Sequence, residues 1–479
     1  MPQLDVLVIG AGISGLATAR KLAMQGHRVT VWEAQQHLGG KIQSRQQQGY
    51  LTEQAASMVV NYIPAVRDFL HQCGLTKHIR ERQVSTCSNR YLVGKQGLQS
   101  VPLRIPALLK DSMFSRQQKW RFLTELFVPR GHPESESVSQ FIERRFGREF
   151  LDLAMEPFVS GTLASNPDYA NAAATLPRLS QLEKRFGSIT AGVLISKLLG
   201  RTSAMNAHTF SFKQGMQTLP QVLADHPNIT CHRGYRVNSL NPSKMPKTNT
   251  MGWQVNADTD HGERSVTVQQ LVLSVPANVV AQLLKPLNSS LAKLLSEIQY
   301  APLNVVHTGF AQQVIKQPLD ASGFLVPRNN QAKINGNLWL SSAFAKRAPT
   351  NKALLSSYLG GMRRPEAVEW DDQHSIDVVC DDLQKLMGIN STPEFVHIDR
   401  HPQALPLYYG DYLGRSRAII DMVRNYSGLH LQANYIGGVS VRDRLNQSHQ
   451  TAQAIHAGLQ ARTFRLPTSV TTSSYGVNV

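Results

Sequence analysis

Six residues near the start of the chain, Gly10-Ala11-Gly12-Ile13-Ser14-Gly15, have the types and the spacing of a phosphate cradle. Gly10 permits a tight turn, Gly12 lacks the Cβ that would keep a pyrophosphate off the backbone, and Gly15 lets a helix lie close on a strand. An acid, Glu33, comes about 20 residues further on, where a carboxylate accepts hydrogen bonds from an adenosine ribose. The flanking segments can position these groups. Leu4 to Ile9 is an apolar run that reads as a strand, Leu16 to Gln25 as a helix closed by Gly26, and Arg28 to Trp32 as a second strand. Together they predict a βαβ unit that presents free N–H groups and the positive end of a helix dipole to a dinucleotide.

The residues after Glu33 narrow the choice of dinucleotide. The run Glu33-Ala34-Gln35-Gln36-His37-Leu38-Gly39-Gly40-Lys41-Ile42 resembles the second glycine motif of FAD proteins of the amine-oxidase and phytoene-desaturase superfamily. A plain nicotinamide dehydrogenase has no need of it. The resemblance implies that Gly39 and Gly40 pass close to FAD and that Lys41 sits near its phosphates.

Composition sets the outer limits. A chain of 479 residues exceeds one simple core and predicts two or three lobes. The net charge of +17 biases it toward anionic partners. The basic residues are spread out and no nucleic-acid-reading motif occurs, so an acidic substrate or an anionic lipid is favoured over nucleic acid. Cys73, Cys87, Cys231 and Cys380 have no metal or redox spacing and read as reduced thiols of a cytoplasmic protein. The nucleotide strand begins at Leu4, which leaves no room for a signal peptide, and no apolar run is long enough to span a membrane. His397 and His401 have i, i+4 spacing but lie beside Pro402 without the acid of a metalloprotease helix, so no metal site is expected.

The expected fold is α/β: a Rossmann-like FAD-binding domain, a mixed-sheet substrate domain and an inserted helical domain. The FAD domain is expected from residues 1–80, 206–285 and 425–465, and the substrate domain from 81–104 and 286–424. Residues 105–205 form the helical insert and 466–479 a flexible polar tail. In the insert, Ile105 to Lys110 and Lys119-Trp120-Arg121-Phe122-Leu123 mix cations with bulky apolar residues. That suits either a peripheral contact with an anionic membrane or an ordinary two-faced helix.

Several separate stretches resemble the protoporphyrinogen oxidase family. They are Glu156-Pro157-Phe158-Val159-Ser160-Gly161, Leu182-Glu183 with Gly187-Ser188-Ile189, Ser211 to Pro220, and Asn434 to Val441. The resemblance implies non-covalent FAD, held at its adenosine diphosphate half by Gly10, Gly12, Ser14, Gly15, Glu33, Ala34, Gly40 and Lys41. Val237 brackets the adenine, and Gly438, Val439 and Val441 lie near the flavin. Arg90 matches an arginine that pairs with a porphyrinogen propionate, and Gly161 a glycine that leaves room for the macrocycle. The implied reaction moves hydride from a methylene bridge to flavin N5, with oxygen as acceptor and no catalytic side chain or metal.

This chain also departs from that family. Gln54-Ala55-Ala56-Ser57 replaces the usual G-P-N-S, Asp443-Arg444-Leu445 replaces D-C-I, and Ser165 stands where a second glycine is common. A flavin amine oxidase is the competing enzyme class, but the lysine such enzymes often place near N5 corresponds here to Val305. An FAD-dependent oxidase of another reduced pyrrole, a carotenoid-type desaturase acting on a polyene and a non-enzymatic FAD scaffold are the other readings.

Overall fold

Two seven-stranded sheets organise the chain. The computed structural model describes residues 3–86, 89–94, 97–101, 113–199, 207–245 and 250–463. The Ile105 to Lys110 part of the expected membrane face, Cys87 and the tail 466–479 lie outside them.

The first sheet runs Ile229–Arg233, Val29–Glu33, Gln3–Ile9, Gly262–Leu273, Met251–Thr259 and Arg236–Lys244, with Leu429–Leu431 also paired to Gly262–Leu273. Its centre is parallel: Ile9 lies opposite Trp32 on one side and Leu273 on the other. The runs Val6-Leu7-Val8-Ile9 and Leu271-Val272-Leu273 at its middle are apolar without a break and buried, because both of their faces are covered. Helices Ile13–Met24 and Val441–Thr463 pack on one face with Leu16, Leu22, Leu445 and Ile455. Helices Ala277–Leu284 and Tyr412–Arg424 belong to the other, where Trp253, Leu271 and Tyr435 are buried.

The second sheet runs Phe395–Pro406, Tyr300–Ala311, Lys352–Gly360, Ile334–Trp339, Ala321–Leu325, Asn89–Gly94 and Gly97–Ser100. Most pairs are antiparallel, and the strand Asn89–Gly94 joins Ala321–Leu325 in parallel. One face holds Val306, Phe310 and Leu355 against helix Asp372–Met387. The alternation of strand residues therefore turns Leu303, Val305, His307, Tyr358, Leu338, Leu325 and Leu92 to the opposite face.

The region 113–199 is helical. Its core of Val138, Phe141, Ile142 and Val159 is locked by charges. Arg145, fully buried, pairs with Glu125 and Glu183, and Arg144 bonds Glu136 and Glu183. Glu125 also accepts from Ser188 Oγ and from the Ile189 and Thr190 N–H groups, which fixes the start of helix Ile189–Leu198.

Candidate active site

The glycine turn has the geometry a pyrophosphate needs. Gly10 has φ +99°, and a Cβ there would come within 2.6 Å of the Ser274 carbonyl oxygen. A Cβ on Gly15 would lie 2.1 Å from the Gly10 carbonyl oxygen, so this glycine is required for the helix to sit on the strand. Gly12 is different: a Cβ there would meet no protein atom within 4 Å. The space beside it is open, and no side chain caps the helix that starts at Ile13, so its first N–H groups are free to take an anion. Ser14 is buried in that first turn.

The second glycine motif docks directly on the first. Gly39 donates its N–H to the Ala11 carbonyl at 2.8 Å and forms a parallel bridge with Gly12. Gly39 and Gly40 both have positive φ, and Gly40 lies against the Gly12 backbone. Glu33 ends its strand with one oxygen accepting from the Ala11 N–H at 2.7 Å and the other from the Gln35 N–H at 2.9 Å. Half-buried Ala34 is next in the chain. Tyr235 donates its N–H to the Glu33 carbonyl, which brings Val237, two residues on, alongside the same rim. The open cradle, the uncapped helix and the acid at the strand end fit the adenosine diphosphate half of FAD.

Lys41 follows Gly40 directly. Its ammonium donates to the carbonyls of Gln403 and Ala404, at 2.8 Å for the latter, and so ties the FAD domain to the second sheet. Burial pulls its pKa down to about 8.

Just before the last helix, Gly437 and Gly438 turn the chain with φ +76° and +108°. Ser440 Oγ accepts from the Asp443 N–H and caps the helix that begins at Val441. Val439 lines a small cavity with Leu163, Ser165, Thr175, Leu405, Pro406 and Tyr408. The hydroxyl of Thr175 has no hydrogen-bond partner there, and Ser165 lies beside the Tyr409 phenol.

The substrate candidates meet on the face of the second sheet turned away from helix Asp372–Met387. Leu92 pairs in register with Leu325, and Arg90, on the same face two residues earlier, is exposed at its rim. Helix Glu156–Leu163 crosses above, and a Cβ on Gly161 would lie 2.4 Å from Leu325 Cδ2. The space Gly161 leaves is thus taken by a leucine end. The segment Gln54 to Ser57 closes the face: the Gln54 carbonyl meets His401 Nε2 at 2.8 Å, and Ser57 hydrogen-bonds the Tyr358 hydroxyl. His307 and His397 both approach Asp399, at 3.3 and 3.2 Å; burial would raise its pKa, but the two imidazoles hold it well below the carboxylate range. Val305 is buried in the same row.

Tyr358, Leu325, Leu338 and His401 carry no motif that marks them as site residues. Their shared face depends on strand register, and the only sequence signal is the apolar alternation within each strand. One expectation needs correction. The sequence groups Phe122 with Trp120 and Leu123 on a membrane face, but Phe122 is buried against Phe114 and Phe150. The helix Arg116–Thr124 turns Gln118 and Phe122 inward, four residues apart, and leaves Trp120 and Leu123 outside.

The cradle and the two-sheet architecture define an FAD-dependent oxidoreductase. Residues 13–456 match the model of the flavin containing amine oxidoreductases, and the chain belongs to that family. Among similar proteins, the mitochondrial protoporphyrinogen oxidase of Nicotiana tabacum is 31% identical over 95% of each chain. The coproporphyrinogen III oxidase of Bacillus subtilis is 24% identical over 92% of this chain and 96% of its own. A crystal structure from Exiguobacterium sp. 255-15, provisionally assigned as a protoporphyrinogen oxidase, superposes with TM-score 0.78 at 21% identity, covering 96% of this chain and 100% of that one.

Proposed function

We propose that this flavoenzyme oxidises a reduced tetrapyrrole, converting protoporphyrinogen IX to protoporphyrin IX with molecular oxygen as the final acceptor. The observation that carries this reading is the apolar sheet face bounded by Arg90 and Gly161 and closed by Gln54 to Ser57. It suits a flat apolar macrocycle with a carboxylate at its edge, and the names of the relatives point the same way. FAD, when bound, takes the hydride released from a methylene bridge.

The chain's own residues orient and shield. Leu92, Leu325 and Leu338 supply an apolar floor that excludes water. Tyr358 rises from its middle, held by Ser57. Arg90 offers a planar fork to a propionate. The amine reading loses support from Val305, which brings no ammonium to the site.

An anionic membrane surface is the proposed peripheral contact. Trp120, Leu123, Leu126, Phe127, Leu194 and Leu198 are exposed on neighbouring elements of the helical region. Exposed Arg116, Arg130 and Lys197 lie on the same elements and their flanks. No helix among the described residues is long and apolar enough to cross a membrane.

The decisive test is anaerobic bleaching of the bound flavin by protoporphyrinogen, coproporphyrinogen and a polyamine in parallel. Fast bleaching by the first supports the proposal. Preference for coproporphyrinogen moves the substrate to the more carboxylated macrocycle, and bleaching by the polyamine alone overturns the reading.

A further inference from the structure

Arg444 is buried, 1% exposed, and it has no carboxylate within ion-pair distance among the described residues. Its guanidinium donates to two backbone carbonyls, those of Ala433 and Ile436, the latter at 2.7 Å, while its Nε has no partner. The adjacent carboxylate, Asp443, is taken by Arg442 at 2.8 Å. The phenols of Tyr408, Tyr412 and Tyr435 surround the charge.

An uncompensated buried cation is costly, and its place makes it more so. Arg444 closes the first turn of the helix that starts at Val441, where the helix dipole is already positive. Two positive contributions therefore stack behind the turn Gly437-Gly438-Val439. Beside that turn lies the cavity that Val439 and Tyr408 line, in which Thr175 holds a buried unpartnered hydroxyl.

We propose that Arg444 is a positioning residue for charge: it makes the region behind Val439 electropositive, so that the negative charge FAD gains on accepting hydride is stabilised. This rests on the placement of the flavin beside Val439. The electron pair and its hydrogen come from the macrocycle methylene, and the oxidised macrocycle then loses an N–H proton to solvent. Arg444 neither gives nor takes a proton and acts only through its field.

The test is the two-electron midpoint potential of FAD in purified holoenzyme, by dye equilibration, for wild type, Arg444→Lys, Arg444→Gln and Arg444→Met. Arg444→Lys should stay within a factor of two of wild type in the oxidised-to-reduced ratio at fixed potential. Both neutral variants should shift that ratio about tenfold toward the oxidised form, which is about 30 mV for a two-electron couple. A guanidinium that merely props the turn would leave the potential unchanged and lower only thermal stability or FAD retention, and that result overturns the proposal. Loss of FAD from both neutral variants overturns it too, because Arg444 is then a strut. Val439→Trp tests the placement separately: undiminished FAD binding in that variant removes the flavin from Val439, whatever the Arg444 variants do.

Discussion

Glu53 and Arg347, 294 residues apart in sequence, form an ion pair of 2.5 Å in which both side chains are almost fully buried. Glu53 ends the strand that leads into the Gln54 to Ser57 segment, and Arg347 belongs to the second sheet's connections. Ser44 Oγ and the Met216 N–H also donate to Glu53, and Arg347 donates to Ser211 Oγ. The pair therefore pins the strand Tyr50–Glu53 and the strand His208–Phe212 to the connection that leads into the second-sheet strand Lys352–Gly360. Removing one partner leaves a buried charge unmatched, which costs roughly 3–5 kcal/mol. Arg347→Met should lower the unfolding free energy by that amount, seen as a lower denaturant midpoint with an unchanged slope. The double variant Arg347→Met/Glu53→Leu should recover much of the loss, and a double variant as unstable as the single one would assign the damage to packing instead.

Two glycines of the first turn, Gly12 and Gly15, should respond oppositely to a side chain. Gly12→Val introduces a branch into open space, so the protein should fold with an unchanged far-UV spectrum but purify colourless. Gly15→Val drives its Cβ into the Gly10 carbonyl and should fail to fold. In wild type, acid precipitation should release all the flavin into the supernatant, since FAD is held without a covalent bond. A colourless Gly15→Val protein with full native structure would contradict this geometry.

His430 makes stability pH-dependent. It lies on the short strand Leu429–Leu431, bonded to Gln270 Oε1 at 2.8 Å, and burial holds its pKa down at about 4. In the unfolded chain it titrates near 6.5. Between those values the unfolded state carries the extra proton, so stability is fully present above about pH 6.5 and declines as pH falls toward 4, by roughly 1.4 kcal/mol per pH unit. His430→Gln should flatten the acid side of a plot of unfolding free energy against pH. An equally steep acid limb in the variant would mean that His307, also held down by burial, and the other imidazoles carry the dependence.

Much of the cofactor site is legible in the sequence, for a physical reason. The phosphate cradle depends on glycines spaced within one turn and on an acid at the next strand end, and such local geometry leaves a local pattern. The face of the second sheet depends on register between strands such as Asn89–Gly94 and Ala321–Leu325, more than two hundred residues apart, which leaves none. Lys41 reads as a phosphate ligand because it comes directly after Gly39-Gly40. The carbonyls of Gln403 and Ala404 that its ammonium also meets come from the distant strand Phe395–Pro406, which no pattern near Lys41 announces. Phe122 can be assigned to a face only once the phase of its helix is known.

Arg90 carries the substrate proposal to a direct kinetic prediction. A charged hydrogen bond to a propionate contributes roughly 1.5–3 kcal/mol. Arg90→Ala should then lower kcat/KM by about one to two orders of magnitude with FAD content unchanged. Arg90→Lys should recover only part, because an ammonium lacks the planar fork. A substrate esterified at its propionates has no charge to lose, so the mutation should cost it little. An equal loss for acid and ester would move Arg90 from the substrate to the fold.

The apolar patch of the helical region supplies the last prediction. Trp120 and Leu123 on one helix, Phe127 on the next turn and Leu198 on helix Ile189–Leu198 present large apolar side chains to solvent, with Phe127 at 84% and Leu198 at 86% exposure. Phe127 and Leu198 cover little within the chain, so replacing them should leave stability almost untouched. On the proposed membrane contact they would insert into the boundary between headgroups and acyl chains, while nearby cations would draw the protein to anionic lipid. Wild type should therefore sediment with anionic vesicles, bind neutral ones weakly, and release from the anionic ones as salt rises and screens the charges. The variant Phe127→Ser/Leu198→Ser should lose vesicle binding by about tenfold or more at low salt and keep the wild-type unfolding midpoint. The two substitutions separate the contributions, because they remove apolar insertion and leave every cation in place. If the variant binds anionic vesicles as tightly as wild type, the attraction is electrostatic alone and the patch is not the docking surface.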